Sequence, residues 1–162
     1  MELGHKRILP GTGHEEGRRL LEQMYVRRTG KAMPPILAGE WGKPYFAGSD
    51  LHFSISHTKN HVFCLLSDRP VGLDAEELTR QVKPALAEKI LSRGEYAQYA
   101  AAKDKNRALL TFWVLKEASG KATGQGVRGY PNHTDFSLGD PRLQELDGCL
   151  VAVVEGEKEN AV

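Results

Sequence analysis

A chain of 162 residues with 40% hydrophobic side chains is long enough for one compact domain or two small packed halves with a real core. Its 22 basic and 21 acidic residues leave a formal charge of +1, so no global field draws it to nucleic acid or to an anionic membrane, and any phosphate site has to be built locally. Cys64 and Cys149 each lie in an apolar, strand-like run, the setting of core thiols in a reducing cytoplasm; no apolar stretch approaches a membrane span, and the residues around His5, Lys6 and Arg7 lack a signal-peptide core.

In chain order, Thr12-Gly13-His14-Glu15 has the form of a capping box, and Leu20, Leu21, Met24 and Tyr25 then recur at helical spacing until Gly30. Arg18, Arg19, Arg27, Arg28 and Lys31 make the other face basic, which is usually a solvated face but can also reach an anionic ligand. Pro34, Pro35 and Gly39 mark a loop leading to Trp41-Gly42-Lys43-Pro44, a turn that displays Lys43. Residues 51–56 alternate Leu51, Phe53 and Ile55 against His52, Ser54 and Ser56, which predicts a half-buried strand. Thr58-Lys59-Asn60 turns it into a second strand over 62–66, leaving His57 at the rim of a hairpin. A cationic or hydrogen-bonding side chain beside Ser56 suits a phosphate, although His57 also reads simply as an exposed turn residue.

Val71-Gly72-Leu73-Asp74-Ala75-Glu76-Glu77 runs from an apolar strand into three carboxylates. Alternate strand residues share a face, so Asp74 and Glu76 point the same way, and carboxylates so close repel unless a cation lies between them. Mg²⁺ is commonly held by one or two carboxylates plus substrate phosphates; the plainer account is a strand followed by an acidic, solvated turn. Helices are expected from about 84 to 121, with a second capping box at Ser92-Arg93-Gly94-Glu95 and a stop at Gly124 and Gly126. Within them, Trp113, Glu117 and Lys121 form one row at four-residue spacing. In the tail, Asp135-Phe136-Ser137-Leu138, a polar turn and then 149–154 repeat the earlier hairpin, a faint internal duplication.

Together, Phe53-Ser54-Ile55-Ser56-His57, the Gly72-x-Asp74-x-Glu76 run and Trp113-x-x-Lys116-Glu117-Ala118-x-x-Lys121 resemble, in order and spacing, the signature of the 4′-phosphopantetheinyl transferase superfamily. Gly42-Lys43-Pro44 resembles a further motif of that family, and Ser54 stands where many members have asparagine. The likeness spans about 41–121 and is closer to the surfactin-synthetase-activating type, with a shorter first half. It implies an α+β fold of two similar, pseudo-twofold-related halves. Residues 1–70 would carry coenzyme A nucleotide contacts and 71–162 the metal-binding and catalytic motifs, packed as one unit with the site at the seam.

The activity implied is transfer of 4′-phosphopantetheine from coenzyme A to a serine of an apo acyl or peptidyl carrier protein, as in holo-acyl-carrier-protein synthase, releasing adenosine 3′,5′-bisphosphate in the cytoplasm. By the same resemblance, Asp74, Glu76 and Glu117 hold Mg²⁺ (or Mn²⁺), while Lys43, Ser56, His57, Lys116 and Lys121 hold the coenzyme. Asp74, Glu117 and Lys121 serve catalysis, with either Glu117 or a metal-bound water as base. A non-catalytic descendant that binds coenzyme A or a carrier protein is the other reading, against which the retained acids and Lys121 argue. A metal-dependent phosphodiesterase would leave Trp113 and Lys116 unexplained.

Overall fold

The computed structural model describes residues 1–126 and 135–156. The alternation over 51–56 gives the expected hairpin, β4 (His52–His57) and β5 (His61–Ser67), turning at Thr58, whose hydroxyl accepts from the His61 amide at 3.0 Å. An N-terminal strand that the sequence analysis did not anticipate, β1 (Glu2–Arg7), pairs antiparallel with β5, so one sheet has the order β1-β5-β4. Its short run, Glu2-Leu3-Gly4-His5-Lys6-Arg7, carries little hydrophobic signal because it lies at a sheet edge, mostly half-buried. Helix α1 (Gly13–Thr29) lies on this sheet. The hairpin β2 (Ile36–Ala38) and β3 (Pro44–Phe46) forms a separate arm around a short 3₁₀ turn at Glu40–Gly42.

The second part runs β6 (Val71–Glu77), α2 (Leu86–Ile90), α3 (Arg93–Ala101), α4 (Lys105–Thr123), β7 (Leu143–Leu146) and β8 (Cys149–Glu155). Its sheet has the order β6-β8-β7, so each sheet has as its central strand the second strand of a hairpin. The first arm of the late hairpin is Leu143–Leu146, not 135–138 as the sequence pattern implied. Asp135 instead accepts a hydrogen bond from the Ser92 hydroxyl and Phe136 packs in the core beneath α4, so that apolar alternation served a packed loop.

Caps set the helix ends unequally. At Ser92 the expected box forms, with Ser92 Oγ accepting from the Glu95 amide at 3.1 Å and Glu95 Oε1 from the Ser92 amide at 2.9 Å. At α1 it does not: Thr12 Oγ1 donates to Leu9 O at 2.6 Å, and Glu15 pairs with Arg19. An i, i+4 ion pair on an exposed helix face competed successfully with the cap. Helix α4 opens on Asp104, whose side chain accepts from the Arg107 amide at 2.9 Å, and ends at Gly124 in the left-handed region (φ 75°).

Period-2 patterning on the two central strands creates the layers. Cys64 and Leu66 face α1 with Leu21, Met24, Phe46 and Phe53, whereas Phe63 and Leu65 face Val71, Leu73 and Val151 between the sheets. On β8, Leu150, Ala152 and Val154 turn to Leu109, Leu110, Phe112 and Leu115 of α4. Burying a large apolar side chain contributes about 1.5–3 kcal/mol, against about 0.5–1.5 for a hydrogen bond. Apolar contact therefore holds the two sheets together, and polar links across the seam decide their register.

One group of those links closes an end of the seam. Arg7 donates to Asp147 at 2.9 and 3.1 Å, His61 Nε2 lies 3.0 Å from the same carboxylate, and His61 Nδ1 is 3.5 Å from Cys149 Sγ. Burial pushes the Cys64 thiol up to about 12 and the Cys149 thiol up to about 11, so both are the inert core thiols expected from their surroundings.

Candidate active site

Strand β6 and helix α4 bring the two motifs together. The chain can do this because residue 72 is glycine: a Cβ there would lie 1.8 Å from Ala118 O and 2.4 Å from Ala122 N, so only hydrogen fits between strand and helix. With the backbones so close, the row at four-residue spacing lies along β6. Trp113 hydrogen-bonds Glu76 at one end, and Lys121 Nζ donates to Asp74 Oδ1 and Leu73 O, both at 2.9 Å, at the other. Glu117 stands between them on the same half-exposed face.

Asp74 is buried. Its Oδ1 also accepts from Ser56 Oγ at 3.1 Å. Burial pushes its carboxyl above the usual range, against the opposing pull of Lys121, Ser56 and the Ala75 amide. Glu76 is half-buried and is likewise raised, first by burial; Arg80 opposes this, while the nearby Asp74 charge adds to it. Arg80 forms an ion pair with Glu76, and its guanidinium lies 5.9 Å from the Trp113 ring centroid. Two like charges thus share a partly desolvated face, each neutralised by a cationic side chain.

Among the described residues, no three His, Cys, Asp or Glu side chains are gathered closely enough to hold a metal ion, so Asp74, Glu76 and Glu117 are not assembled as a ready-made cage. The reason lies in the pairs just described: Lys121 draws on Asp74 and Arg80 on Glu76. The donor set nonetheless fits a hard cation, because Mg²⁺ needs only one or two carboxylates when substrate phosphates complete its shell. The mutual repulsion between Asp74 and Glu76 is the electrostatic demand that such a cation meets.

The residues linked to the coenzyme by resemblance are placed differently from one another. Lys43 Nζ donates to Ala122 O at 2.8 Å, tying the β2–β3 arm to the last turn of α4. It lines a cleft of about 900 Å³ with Trp41, His52, Phe53, Ser119 and Gln125, between that arm and the helix end; Asp74, Glu76 and Lys121 are not in its lining. His57 is exposed, its ring over Gly13 at the start of α1. Lys116, only 3% exposed, is turned away, with Nζ 2.7 Å from Oε1 of the wholly buried Glu95 and 5.7 Å from the Phe136 ring centroid. Ser56 is also buried and spends its hydroxyl on the protein, accepting from the Ala75 amide at 3.1 Å while donating to Asp74.

Three residues around the site had no such role assigned from the sequence: Arg80, Glu95 and Ser54, whose Oγ serves only the backbone, accepting from the Leu73 amide at 3.0 Å. Arg80, four residues beyond Glu76, was findable as a charge pair across the strand end. Glu95 was legible only as a cap, because its partner Lys116 comes from another helix.

A fold of mixed helices and antiparallel sheets with paired carboxylates facing a Trp-Glu-Lys row defines a class, and comparison with known proteins gives it a family. The description of the 4′-phosphopantetheinyl transferase superfamily matches residues 70–149. A 4′-phosphopantetheinyl transferase, gsp, of Aneurinibacillus migulanus is 36% identical over 91 residues, covering 54% of this chain and 37% of that protein. The Bacillus subtilis 4′-phosphopantetheinyl transferase is 32% identical over 94 residues, covering 54% and 40%. The AcpT transferase of Escherichia coli O157:H7 is 32% identical over 145 residues, covering 83% of this chain and 74% of that protein. The chain belongs to the 4′-phosphopantetheinyl transferase superfamily, although it spans less than half the length of the first two relatives.

Proposed function

We propose that the chain transfers 4′-phosphopantetheine from coenzyme A to a serine of an apo acyl or peptidyl carrier protein, releasing adenosine 3′,5′-bisphosphate, in the manner of a holo-acyl-carrier-protein synthase acting in the cytoplasm. The observation that carries this reading is the buried Asp74, held at Oδ1 by Ser56 and Lys121 on a strand lined by Glu76 and faced by Glu117. In the step, the carrier serine's Oγ forms a bond to the phosphorus next to pantetheine as the bond from that phosphorus to the bridging oxygen breaks, and the bisphosphate leaves. Glu117, half-exposed beside the carboxylates, takes the serine proton. Lys121 faces the charge that gathers on the leaving bisphosphate. Mg²⁺, or Mn²⁺ in its place, would be held by Asp74 and Glu76 with Glu117 as third carboxylate, and would neutralise the pyrophosphate and the developing negative charge.

Lys43, in the cleft, and His57 are assigned to the coenzyme's nucleotide phosphates. Lys116 and Ser56 contribute through the protein, Lys116 by fastening α4 to α3 through Glu95. We take residues 1–70 and 71–162 as two pseudo-twofold-related halves of one unit; the shared strand order, with a hairpin's second strand at the centre of each sheet, supports this. The test is to incubate the protein with coenzyme A, Mg²⁺ and a panel of apo carrier proteins and to separate the nucleotides by chromatography. Adenosine 3′,5′-bisphosphate should appear only when an apo carrier is present. Bound coenzyme A with no nucleotide product across the panel would instead favour the non-catalytic reading.

A further inference from the structure

Each strand of an antiparallel ladder turns half of its backbone groups away from its partner, and an edge strand must satisfy them elsewhere. Strand β6 is an edge of its sheet, and β4 is an edge of the other. The two lie side by side, but serine hydroxyls stand where backbone carbonyls would normally accept. The Leu73 amide donates to Ser54 Oγ at 3.0 Å and the Ala75 amide to Ser56 Oγ at 3.1 Å. Both contacts advance in the same sense, so β4 runs parallel to β6. The Leu73 carbonyl is taken by Lys121. This stretch of the seam is therefore stitched by side chains of a neighbouring sheet.

Ser56 differs from Ser54 in one respect. A hydroxyl has a single proton, and that of Ser56 goes to Asp74 Oδ1 at 3.1 Å. With a lone pair fixed by the Ala75 amide, the hydroxyl oxygen cannot swing away without giving up that 3.1 Å contact, which holds its proton toward Asp74. Ser54 makes the same kind of backbone contact with no bond to a carboxylate.

We propose that Ser56 is a positioning residue for Asp74: its hydroxyl, oriented by the β6 backbone, holds Oδ1 so that the carboxylate keeps one orientation toward a divalent cation. Through it, the register between the two sheets becomes part of the metal site. The inference rests on the metal reading above, and it assigns to Asp74 a hydroxyl that the resemblance assigned to the coenzyme.

Ser56→Ala and Ser54→Ala each remove one hydroxyl acceptor from a β6 amide, and only the first also takes a hydrogen bond from Asp74, leaving Lys121 as the remaining side chain on Oδ1. Mn²⁺ affinity is measured by the electron paramagnetic resonance of free Mn²⁺, and coenzyme A affinity by calorimetry with the metal chelated. Partners that orient a ligand typically account for 10- to 100-fold in metal affinity. Ser56→Ala should therefore weaken Mn²⁺ binding by about 10-fold or more, with coenzyme A affinity unchanged. Ser54→Ala should leave Mn²⁺ affinity within about twofold, and Ser56→Thr should restore it. Should Ser56→Ala fail to fold, Ser56→Cys, which keeps the volume with a weaker hydrogen-bonding group, takes its place.

Equal Mn²⁺ affinity in wild type and Ser56→Ala overturns the proposal, as does a loss confined to metal-free coenzyme A binding, which would make Ser56 a coenzyme contact. A wild type that binds no Mn²⁺ overturns it together with the metal reading.

Discussion

Asp74 shows how a residue can be legible as a type and not as an environment. The spacing of Asp74 and Glu76 on a strand was enough to place both on one face, because strand geometry alone dictates it. That Lys121 and Ser56 converge on the same carboxylate oxygen was not legible, since the three residues come from three elements whose packing no local pattern specifies. Lys121 now gives a sharp prediction. As an exposed ion pair it would contribute under about 1 kcal/mol, and its loss would leave turnover nearly intact. Facing the leaving group, its replacement in Lys121→Met should lower single-turnover transfer by roughly 10²-fold or more with little change in melting temperature. Glu117→Gln, which keeps shape but removes charge, should abolish transfer nearly completely; normal rates in both variants would make the row structural. Lys116 predicts the opposite pattern. Breaking a fully buried ion pair from one side costs about 3–5 kcal/mol, so Lys116→Met should melt far earlier, whereas a direct coenzyme contact would raise KM and leave melting unchanged.

At the scale of elements, the close approach of β6 and α4 depends on a single missing side chain. Gly72→Ala would drive a methyl group into the Ala118 carbonyl, so either the helix moves or the strand does. We expect a loss of at least about 1–3 kcal/mol in denaturant unfolding and, because Lys121 and Trp113 move with the helix, loss of transfer even in the fraction that folds. A variant of unchanged stability and rate would mean that the helix does not lie as described. The glycine was visible in the motif, but its reason was not, since it lies in the backbone of an element more than forty residues away. Helix ends were readable at Thr12, Ser92 and Gly124, but the capping box formed only where it had no rival, at Ser92, and not at Thr12, where Glu15 pairs with Arg19. Strand β1 escaped because a mostly half-buried edge needs few apolar residues. The segment 135–138 misled because a loop that buries Phe136 has the same composition as a short strand.

In the molecule as a whole, the two sheets meet across an apolar layer whose far end is closed by Arg7, His61 and Asp147. Hydrogen bonding from Arg7, with smaller contributions from His61, holds the Asp147 carboxyl down to about 2, below its ordinary 3.8. A depressed carboxyl stabilises the fold above its unfolded pKa and stops doing so as the pH falls through its folded value. The melting-temperature gap between wild type and Asp147→Asn should therefore be widest above about pH 5 and close toward about pH 2. Asparagine tolerates the left-handed backbone found at this position (φ 50°), so the comparison isolates the charge; a gap independent of pH would show that the clasp is not electrostatic. The central claim is that the β6 and α4 residues at this seam perform phosphopantetheine transfer, and intact-mass spectrometry of an apo carrier protein tests it most directly. With coenzyme A and Mg²⁺, the wild type should add the mass of one phosphopantetheinyl group to the carrier, and to none whose acceptor serine is replaced by alanine, while Asp74→Asn should add nothing although it folds. No mass gain on any carrier with the wild type, or undiminished gain with Asp74→Asn, would contradict the account.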